Sequence, residues 1–194
     1  MDDIQVVAPV GMPGAGKSTC VDYLVKKGLP SIYVGGLVVE EVKARGLEVN
    51  ERNEKLVRED LRSKEGPGVL AKRVIPKVEE LYRQGHKKIL IDGLYSWTEY
   101  KIYKENFGDK LLVIAVTAPR RLRHQRLTKR PVRPLSENEA NARDYAEIEN
   151  IEKGGPIANA DYTLTNDSDQ AKLLADLDRV LTDNRKQSRS IKQL

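Results

Sequence analysis

Cysteine is nearly absent from this chain: Cys20 is the single one among 194 residues, so no disulfide can form within the chain. There is also no run of 18 apolar residues and no apolar segment of the kind that a secretory signal requires. A chain without these features is typical of the reducing interior of a cell. We therefore expect a cytoplasmic protein without a membrane partner, in which Cys20 is a packing residue.

Internal repeats and low-complexity segments are absent as well, and the length fits one domain with a substantial core. We assign residues 1–184 to that domain. The formal net charge is +5, but four basic residues lie in the last ten positions of the sequence: Arg185, Lys186, Arg189 and Lys192. The rest of the chain is close to neutral, so binding to nucleic acid would depend on this tail and on one basic cluster. We expect no nucleic-acid partner and a disordered tail over residues 185–194.

Residues 11–19 read GMPGAGKST and fit the pattern G-x-x-x-x-G-K-[ST] at every fixed position. Glycines let backbone N–H groups approach an anion, and they reach the positive φ values that such a loop needs. Lys17 can reach the β and γ phosphates of a nucleotide, and the Ser18 hydroxyl can ligate Mg²⁺. The alternative is a glycine-rich turn that binds nothing. We assign ATP binding to Gly11, Gly14, Ala15, Gly16, Lys17, Ser18 and Thr19.

The neighbours of this loop support the assignment. Residues 4–10 are apolar and β-branched enough for a buried strand, and residues 20–25 predict a helix. A helix that starts here would aim its positive end at the phosphates.

A second motif lies at residues 87–93, which read KKILIDG. This stretch predicts a buried strand that ends at Asp92, at the edge where open α/β sheets bind their ligands. This is the Walker B position, and we expect Asp92 to hold Mg²⁺ or a Mg²⁺-bound water opposite Ser18. The alternative is an aspartate that merely caps an Asp-Gly turn.

Residues 110–136 contain no acidic residue but eight basic ones. Arg123, Arg126 and Arg130 are spaced i, i+3 and i+7, so they share one face of a helix. Three cations on one stripe repel each other unless an anion neutralises them, and guanidinium groups bind phosphate bidentately. The stripe therefore indicates a polyphosphate ligand, with a solvated basic helix face as the alternative.

Strand and helix patterns alternate along the chain. The predicted strands are 4–10, 31–34, 87–93, 110–117 and 160–165, and this alternation predicts a three-layer α/β fold with a mainly parallel five-stranded sheet.

We expect Gly35-Gly36 to break the second strand before a helix from Leu37 to about Arg45. Further helices are predicted over 51–64, with Asn50 as cap and Leu56, Val57 and Leu61 on its buried face, and over 69–83. Capping boxes at Ser96 and Ser136 predict two more, the second to about residue 153. Leu173, Leu174, Leu177 and Leu181 predict the buried stripe of a last helix.

The loop GMPGAGKST, the strand end IDG and the stretch RLTKR at 126–130 resemble the adenylate-kinase-like group of P-loop phosphotransferases. The stretches RGLEVNERNEKL, AKRVIPKVEEL and ADYTLTND resemble a small, mainly archaeal branch related to adenylate and dephospho-CoA kinases. The resemblance implies a core that holds ATP and Mg²⁺, a helical insertion at 36–84 that closes over the acceptor, and a lid at 130–143. It implies that Arg130, together with Arg123, Arg126 and Arg143, stabilises the transferring phosphoryl group, and that Asn166 lies near the adenine. We assign catalysis to Lys17, Asp92, Arg126 and Arg130.

The sequence departs from the adenylate-kinase pattern where the acceptor should bind. Those enzymes follow the second strand with T-G-D-x-x-R and carry an arginine after the D-G pair, whereas this chain has GGLVV at 35–39 and Tyr95-Ser96. The aspartate that dephospho-CoA kinases place after the second strand is also absent, with Glu40 and Glu41 as the substitutes nearby. The possible replacements for the acceptor ligands are Arg58, Arg62, Lys72 and Arg73.

Two functions fit these observations. The first is an ATP-dependent phosphotransferase of the nucleotide-kinase type, with a small acceptor such as a nucleoside monophosphate or, in a dephospho-CoA-kinase-like enzyme, a different acceptor. The second is an ATP-binding switch whose slow hydrolysis signals to a macromolecular partner, which the missing acceptor arginines favour. Release of ADP that depends on an acceptor would distinguish the first from the second.

Overall fold

A parallel five-stranded sheet forms the centre of the computed structural model, which describes residue 1 and residues 3–190, with side chains described as far as residue 183. The strands are β1 (Gln5–Val10), β2 (Ser31–Tyr33), β3 (Lys88–Asp92), β4 (Leu111–Thr117) and β5 (Tyr162–Thr165). Their spatial order is β2-β3-β1-β4-β5, and each neighbouring pair is parallel. The predicted α/β fold with a parallel five-stranded sheet is confirmed.

Helices cover both faces of this sheet. They are α1 (Lys17–Lys26), α2 (Val34–Ala44), α3 (Glu51–Glu65), α4 (Val69–Arg83), α5 (Trp97–Phe107), α6 (Arg120–Lys129), α7 (Glu137–Glu149), α8 (Gly154–Ala158) and α9 (Gln170–Ser190). On one face, side chains of α2, α3, α4 and α5 form the larger core cluster; on the other, α1 and α9 form the smaller one. The central strand β1 serves both, since Val6 and Ala8 join the larger cluster and Val7 the smaller. Cys20 is buried in the smaller cluster as a packing residue.

Helix α2 begins earlier than predicted. Gly35 and Gly36 do not break the chain after β2 but lie in the first turn of α2, which starts at Val34. A side chain at Gly35 would collide with the ring of Tyr33, its Cβ lying 2.5 Å from the Tyr33 hydroxyl oxygen. The glycine pair therefore allows the helix to start directly after the strand and to pack under Tyr33. The prediction failed because glycine near a strand end is also typical of a loop.

The other differences concern helix faces and ends. Leu56 is 53% exposed, so the buried face of α3 contains Val57 and Leu61 without it. Helix α7 ends at Glu149, before the predicted end, and residues 154–158 form α8. Both capping boxes are present, as is the Asn50 cap of α3. Helix α9 extends to Ser190, past the start of the predicted disordered tail, and residues 191–194 lie outside the described residues.

No helix in the described part of the chain combines the length and the apolar character needed to cross a membrane.

Candidate functional site

The sheet order brings the two predicted phosphate-site segments together. The loop at 11–16 follows the central strand β1, and Asp92 ends β3, which is the neighbour of β1. Since the strands are parallel, their carboxyl ends meet at one edge of the sheet, where α/β folds bind ligands. Helix α1 starts at Lys17, directly after the loop, so its unpaired N–H groups and its positive dipole end face this edge.

Two glycines of the loop have backbone conformations that other residues adopt at a cost. Gly14 has φ 78° and Gly16 has φ 105°. A side chain at Gly14 would lie 2.6 Å from the Arg123 carbonyl oxygen, and one at Gly16 would collide with the amide of Asn166. The loop is therefore packed tightly from behind, which holds its backbone in one shape for an anion in front.

Lys17 and Asp92 form an ion pair at the bottom of the site. The Lys17 Nζ atom lies 2.5 Å from Asp92 Oδ1, and both side chains are 19% exposed. A lysine that meets a carboxylate here can exchange it for a phosphate when a nucleotide enters, because the two anions offer the same kind of oxygen acceptor. The two residues that we predicted from separate motifs are in direct contact.

Asn166 supports the loop from behind. Its Nδ2 atom donates to the Ala15 carbonyl at 2.8 Å, and its backbone N–H donates to the Thr117 carbonyl at 2.7 Å. The residue is buried. Its side-chain oxygen accepts a long hydrogen bond from Arg126 at 3.4 Å. Asn166 thus connects the end of β5, the loop and α6.

The arginine stripe on α6 divides into two kinds of residue. Arg123 is buried and forms a bidentate pair with Asp144 of α7, with both distances 2.8 Å, and donates to the Pro13 carbonyl at 2.9 Å. His124 Nε2 lies 3.0 Å from the same carboxylate. Arg123 therefore departs from the prediction that a polyphosphate neutralises the whole stripe, because Asp144, 21 positions away and outside the stretch from which we made that prediction, neutralises it.

Arg126 and Arg130 lie in front of the loop, in a cavity of about 390 Å³. Charged side chains around this cavity are five cations and one carboxylate: Lys17, Arg126, Arg130, Arg143, Lys153 and Glu147. Such an excess of positive charge in a partly enclosed space favours a polyanion. Residues 11–14 and Gly16 of the phosphate loop also line the cavity.

Three residues of the cavity wall were not predicted as site residues: Lys153, Glu147 and Tyr95. Lys153 is 4% exposed, pairs closely with Glu147 and lies 5.3 Å from the centre of the Tyr95 ring. Burial lowers the pKa of Lys153, since a desolvated ammonium is less stable than a hydrated one. A positive φ of 52° at Glu152 turns the chain so that Lys153 follows α7 at the cavity wall. No periodicity or motif in the sequence marks these residues.

The segment predicted as a lid lies beside α3. The Arg130 Nε atom donates to the Arg133 carbonyl at 2.5 Å, and Arg133 has φ 51°. The Arg133 guanidinium lies 3.4 Å from Glu51 at the start of α3. The loop after α6 is therefore connected to the start of α3 by this ion pair.

The residues at the bottom of the site have the chemistry that Mg²⁺ requires. Ser18 is exposed in the first turn of α1, and Asp92 supplies a carboxylate in contact with Lys17, the residue before Ser18. Mg²⁺ prefers hard oxygen ligands and usually combines one or two protein ligands with waters and substrate phosphates. Within the described residues there is no group of three or more carboxylate, histidine or cysteine ligands that would form a metal site without a nucleotide.

Two carboxylates of α2 are engaged in ion pairs. Glu41 lies 3.1 Å from Arg73, which also pairs with Glu65 at 2.6 Å. Glu40 lies 3.5 Å from Lys77. The two glutamates that we considered as substitutes for a catalytic aspartate therefore connect α2 to α4.

Comparison with known proteins identifies relatives of this chain. A family model described as an AAA domain (AAA_18) matches residues 7–149. A UPF0200 protein of Thermococcus onnurineus is 36% identical over 165 residues, which cover 84% of this chain and 88% of that protein. A UPF0200/UPF0201 protein of Archaeoglobus fulgidus is 38% identical over 128 residues, 66% of this chain, and the match spans only 39% of that longer protein.

Solved structures share the fold at low sequence identity. The structure of TT1252 from Thermus thermophilus has a TM-score of 0.65 at 20% identity and covers 93% of this chain and 97% of its own. Shikimate kinase from Acinetobacter baumannii, in complex with shikimate, has a TM-score of 0.54 at 18% identity, with 94% and 96% covered. A gluconokinase from Sinorhizobium meliloti has a TM-score of 0.52 at 15% identity, with 96% and 98% covered.

The sheet order, the phosphate loop on β1 and these shared folds define the class: an α/β P-loop kinase fold with a nucleotide-binding loop. Within this class the chain belongs to the family described as an AAA domain, and to the archaeal UPF0200 proteins. The predicted resemblance to a mainly archaeal branch of P-loop kinases is confirmed.

Proposed function

We propose that this protein is an ATP-dependent phosphotransferase that moves the γ-phosphoryl group of ATP to a small acceptor. The observation that carries the proposal is the contact of Lys17 with Asp92, at 2.5 Å, below a cavity whose charged lining is almost entirely cationic. Phosphoryl transfer requires positioning and charge neutralisation more than it requires a dedicated nucleophile. These residues supply both.

The residues of the cavity have separate tasks in this reaction. Lys17 leaves Asp92 for the β and γ phosphates, and the N–H groups of the loop hold the same oxygens. An acceptor oxygen forms a bond to the γ phosphorus while the bond from that phosphorus to the bridging oxygen breaks, and the electron pair of the broken bond stays on ADP. A hydroxyl acceptor releases its proton to water, whereas an ionised phosphate oxygen has no proton to release. Arg126 and Arg130 neutralise charge on the moving group, with Arg143 and Lys153 beside them.

Ser18 and Asp92 would hold Mg²⁺. When bound, the ion neutralises charge on the β and γ phosphates and orients them. The loss of the Lys17 contact leaves the Asp92 carboxylate available as a ligand, so nucleotide binding and metal binding are coupled through this pair.

The shared fold supports a small acceptor. Two of the structural neighbours are a shikimate kinase and a gluconokinase, which suggests shikimate and gluconate as acceptors. The resemblance to adenylate and dephospho-CoA kinases adds nucleoside monophosphates and dephospho-CoA. Shikimate, gluconate, a nucleoside monophosphate and dephospho-CoA are all small molecules, so each is a candidate acceptor.

An ATP-binding switch with slow hydrolysis is the second candidate. The specific observation in its favour is the sequence after β2, where GGLVV replaces the acceptor-binding motif of adenylate kinases. In such a protein ADP release does not depend on a small acceptor.

The test is a coupled assay of ADP release with AMP, CMP, dephospho-CoA, shikimate and gluconate as acceptors. We expect at least one of them to raise the turnover above the rate with ATP alone, and Lys17→Ala to abolish the increase while the fold is retained. The exposed Lys101→Ala variant on α5 serves as a control with normal turnover. A rate that no acceptor changes would support the switch instead.

A further inference from the structure

Lys153 is a buried cation in the wall of the phosphate cavity. It is 4% exposed and pairs closely with one carboxylate oxygen of Glu147. The other oxygen of Glu147 lies 3.5 Å from Arg143, so one carboxylate serves two cations. Burial lowers the pKa of Lys153, and the nearby charges of Arg143 and Lys17 lower it further, although Glu147 acts in the opposite direction. The protein itself therefore neutralises the charge of Lys153 only in part.

The backbone beside Lys153 has an uncommon conformation. Glu152 has φ 52°, in the left-handed region that residues with a side chain adopt at a cost in free energy. The Lys153 N–H donates to the Glu147 carbonyl at 3.0 Å, and the Trp97 N–H donates to the Ile151 carbonyl at 3.2 Å. The corner between α7 and α8 is thus fixed to the end of α7 and to the start of α5. Strained residues of this kind cluster at functional sites.

The wall that contains Lys153 lies on the β3 side of the phosphate loop. The Lys153 Nζ atom lies 5.3 Å from the centre of the Tyr95 ring, and Tyr95 follows Asp92, the last residue of β3. On the other side of β1 the sheet continues with β4 and β5, and Asn166, which we expect near the adenine, follows β5. A nucleotide whose adenine lies toward β5 and whose phosphates follow the loop therefore directs its terminal phosphate toward Lys153.

The segment after β3 contributes no cation of its own, because residues 93–96 read GLYS. The other cations of the cavity belong to α1, to α6 and the residue after it, and to α7: Lys17, Arg126, Arg130 and Arg143. Lys153, from the corner between α7 and α8, is the cation that the fold places over this segment.

From this position, we propose that Lys153 binds the terminal phosphate of a nucleoside triphosphate and so raises the affinity of the site for a triphosphate relative to a diphosphate. The inference rests on the proposed function and gives a task to a residue that no motif marks. A terminal phosphate carries more negative charge than the Glu147 carboxylate, which Arg143 shares, and it offers three oxygen acceptors to an ammonium group. Transfer of the phosphoryl group removes this contact, so ADP is held less tightly than it would be with a third phosphate.

The test compares two nucleotides that differ by one phosphate, AMP-PNP and ADP, each with Mg²⁺, by titration calorimetry. Lys153→Met keeps the length of the buried side chain without its charge. We expect this variant to bind AMP-PNP about 10-fold to 100-fold more weakly than the wild type, which is the loss expected for one charge-assisted contact. Its affinity for ADP should change by less than about 3-fold, because ADP has no terminal phosphate in this position.

A second pair of variants protects the test against a substitution that prevents folding. Lys153→Met leaves Glu147 with one cation fewer, whereas the double variant Lys153→Met with Glu147→Gln removes both charges of the buried pair. Compared with Glu147→Gln alone, the double variant should bind AMP-PNP about 10-fold to 100-fold more weakly and ADP about equally well.

The matched control is Lys101→Met on α5. Lys101 also lies beside an aromatic ring, 5.9 Å from the centre of the Trp97 ring. In contrast to Lys153, it is exposed and is not among the residues that line the cavity. This variant should bind both nucleotides like the wild type.

The inference is overturned if folded variants without Lys153 bind AMP-PNP as tightly as the proteins from which they derive. It is also overturned if they lose affinity for ADP and AMP-PNP to the same extent, because Lys153 would then act on an inner phosphate or on the shape of the site. Failure of the wild type to bind AMP-PNP would contradict the proposed function and this inference with it. AMP-PNP binding that is normal but independent of Lys153 would contradict the inference alone.

Discussion

Individual side chains of the site are distinguished by what neutralises them. Lys17 and Arg123 both meet a carboxylate, but Arg123 is buried with Asp144 on two hydrogen bonds, whereas Lys17 shares one oxygen of a partly exposed Asp92. A buried bidentate pair costs several kcal/mol to break, about 3–5 by analogy with other buried pairs. We therefore expect Arg123 to stay in place when a nucleotide binds and Lys17 to change partners.

Arg130→Ala should lower kcat with a smaller effect on ATP affinity. Arg130 lines the cavity and is only half-buried. In the proposed reaction its guanidinium stabilises the negative charge that develops on the phosphoryl group during transfer. The loss should be about 10³-fold if it resembles other arginine fingers. Arg130→Lys should not restore the rate fully, since the planar fork is lost. The measurement is steady-state turnover with the acceptor identified in the ADP-release assay.

The control for this prediction is Arg121→Ala, an exposed position on the same helix, which should turn over normally. If the stripe instead follows a nucleic-acid backbone, Arg130→Ala should have normal turnover and lose a salt-sensitive affinity for DNA or RNA. We expect no measurable nucleic-acid binding by the wild type at physiological salt.

Gly16→Ala should destabilise the protein and abolish nucleotide binding. The residue has φ 105°, and a Cβ there would collide with the Asn166 amide that supports Ala15. Gly28→Ala is the matched control, because Gly28 has φ 86° but nothing within 4 Å of its added Cβ. Thermal or urea unfolding should show a loss of about 1–2 kcal/mol for Gly28→Ala, the cost of the backbone conformation, and a larger loss for Gly16→Ala. Equal losses would mean that the Asn166 contact does not fix the loop.

At the scale of elements, α7 holds α6 and the phosphate loop together. Asp144 of α7 accepts hydrogen bonds from Arg123, which in turn donates to Pro13 in the loop, and the same carboxylate lies beside His124. Helix α6 contains no acidic residue, and a carboxylate of α7 neutralises one of its arginines. The contact also positions Arg126, which lies on α6, and Arg130, which directly follows the last residue of α6 in an extended conformation.

Asp144→Asn should destabilise the protein at neutral pH but much less in acid. Burial alone would raise the pKa of Asp144, but the hydrogen bonds from Arg123 and His124 lower it below its ordinary value of 3.8. The folded protein then binds fewer protons at this site than the unfolded chain, so the stabilisation is present above about pH 4 and is lost as the pH falls through the folded pKa. At pH 7 the variant should lose about 3 kcal/mol, since Arg123 is left buried without a partner.

The measurement for Asp144→Asn is urea unfolding between pH 3 and pH 7. The control is Asp176→Asn on α9. Asp176 pairs with Lys172, which is mostly exposed, so this substitution should lower the free energy of unfolding by less than about 1 kcal/mol. A difference between wild type and Asp144→Asn that stays constant over this pH range would contradict the ion-pair explanation.

At the scale of the whole molecule, the cavity lies between parts of the chain that are far apart in sequence. Its walls come from the phosphate loop, α6 and α7, and the loop after α6 reaches α3 through Arg133 and Glu51. A nucleotide that fills this space connects these parts in the folded state only, so it should stabilise the folded protein as a whole.

ATP analogues should therefore raise the melting temperature. At a concentration of about 100 times the dissociation constant, AMP-PNP with Mg²⁺ should add about 2.7 kcal/mol to the free energy of unfolding. Lys17→Ala should lose this increase, because the side chain meets the phosphates. Asp92→Asn should lose only the part that depends on Mg²⁺, as seen by comparison with AMP-PNP in EDTA.

Asp22→Asn, an exposed carboxylate on α1, is the control and should respond like the wild type. An equal loss for Asp92→Asn with and without Mg²⁺ would mean that Asp92 serves the fold rather than the metal.

The sequence by itself determined the strands, most helices and two motifs, the phosphate loop and the strand that ends at Asp92. Buried strands of a parallel sheet are continuous apolar runs, so 4–10, 87–93 and 110–117 were visible in the sequence, and G-x-x-x-x-G-K-[ST] has fixed spacing because its residues act on one anion. Local chemistry also set the caps at Asn50, Ser96 and Ser136. These features depend on neighbours within a few residues.

Only the tertiary structure decided which charges are neutralised, because Coulomb interactions follow distance in space and not distance along the chain. Arg123 faces the site in the sequence pattern but is paired with Asp144, and Lys153 has no motif but lies at the cavity wall. Gly35-Gly36 lie in the first turn of α2, where a Cβ at Gly35 would collide with the Tyr33 ring. The contact of Arg62 with Glu99 likewise joins α3 to α5 across 37 positions, a separation that no periodicity spans.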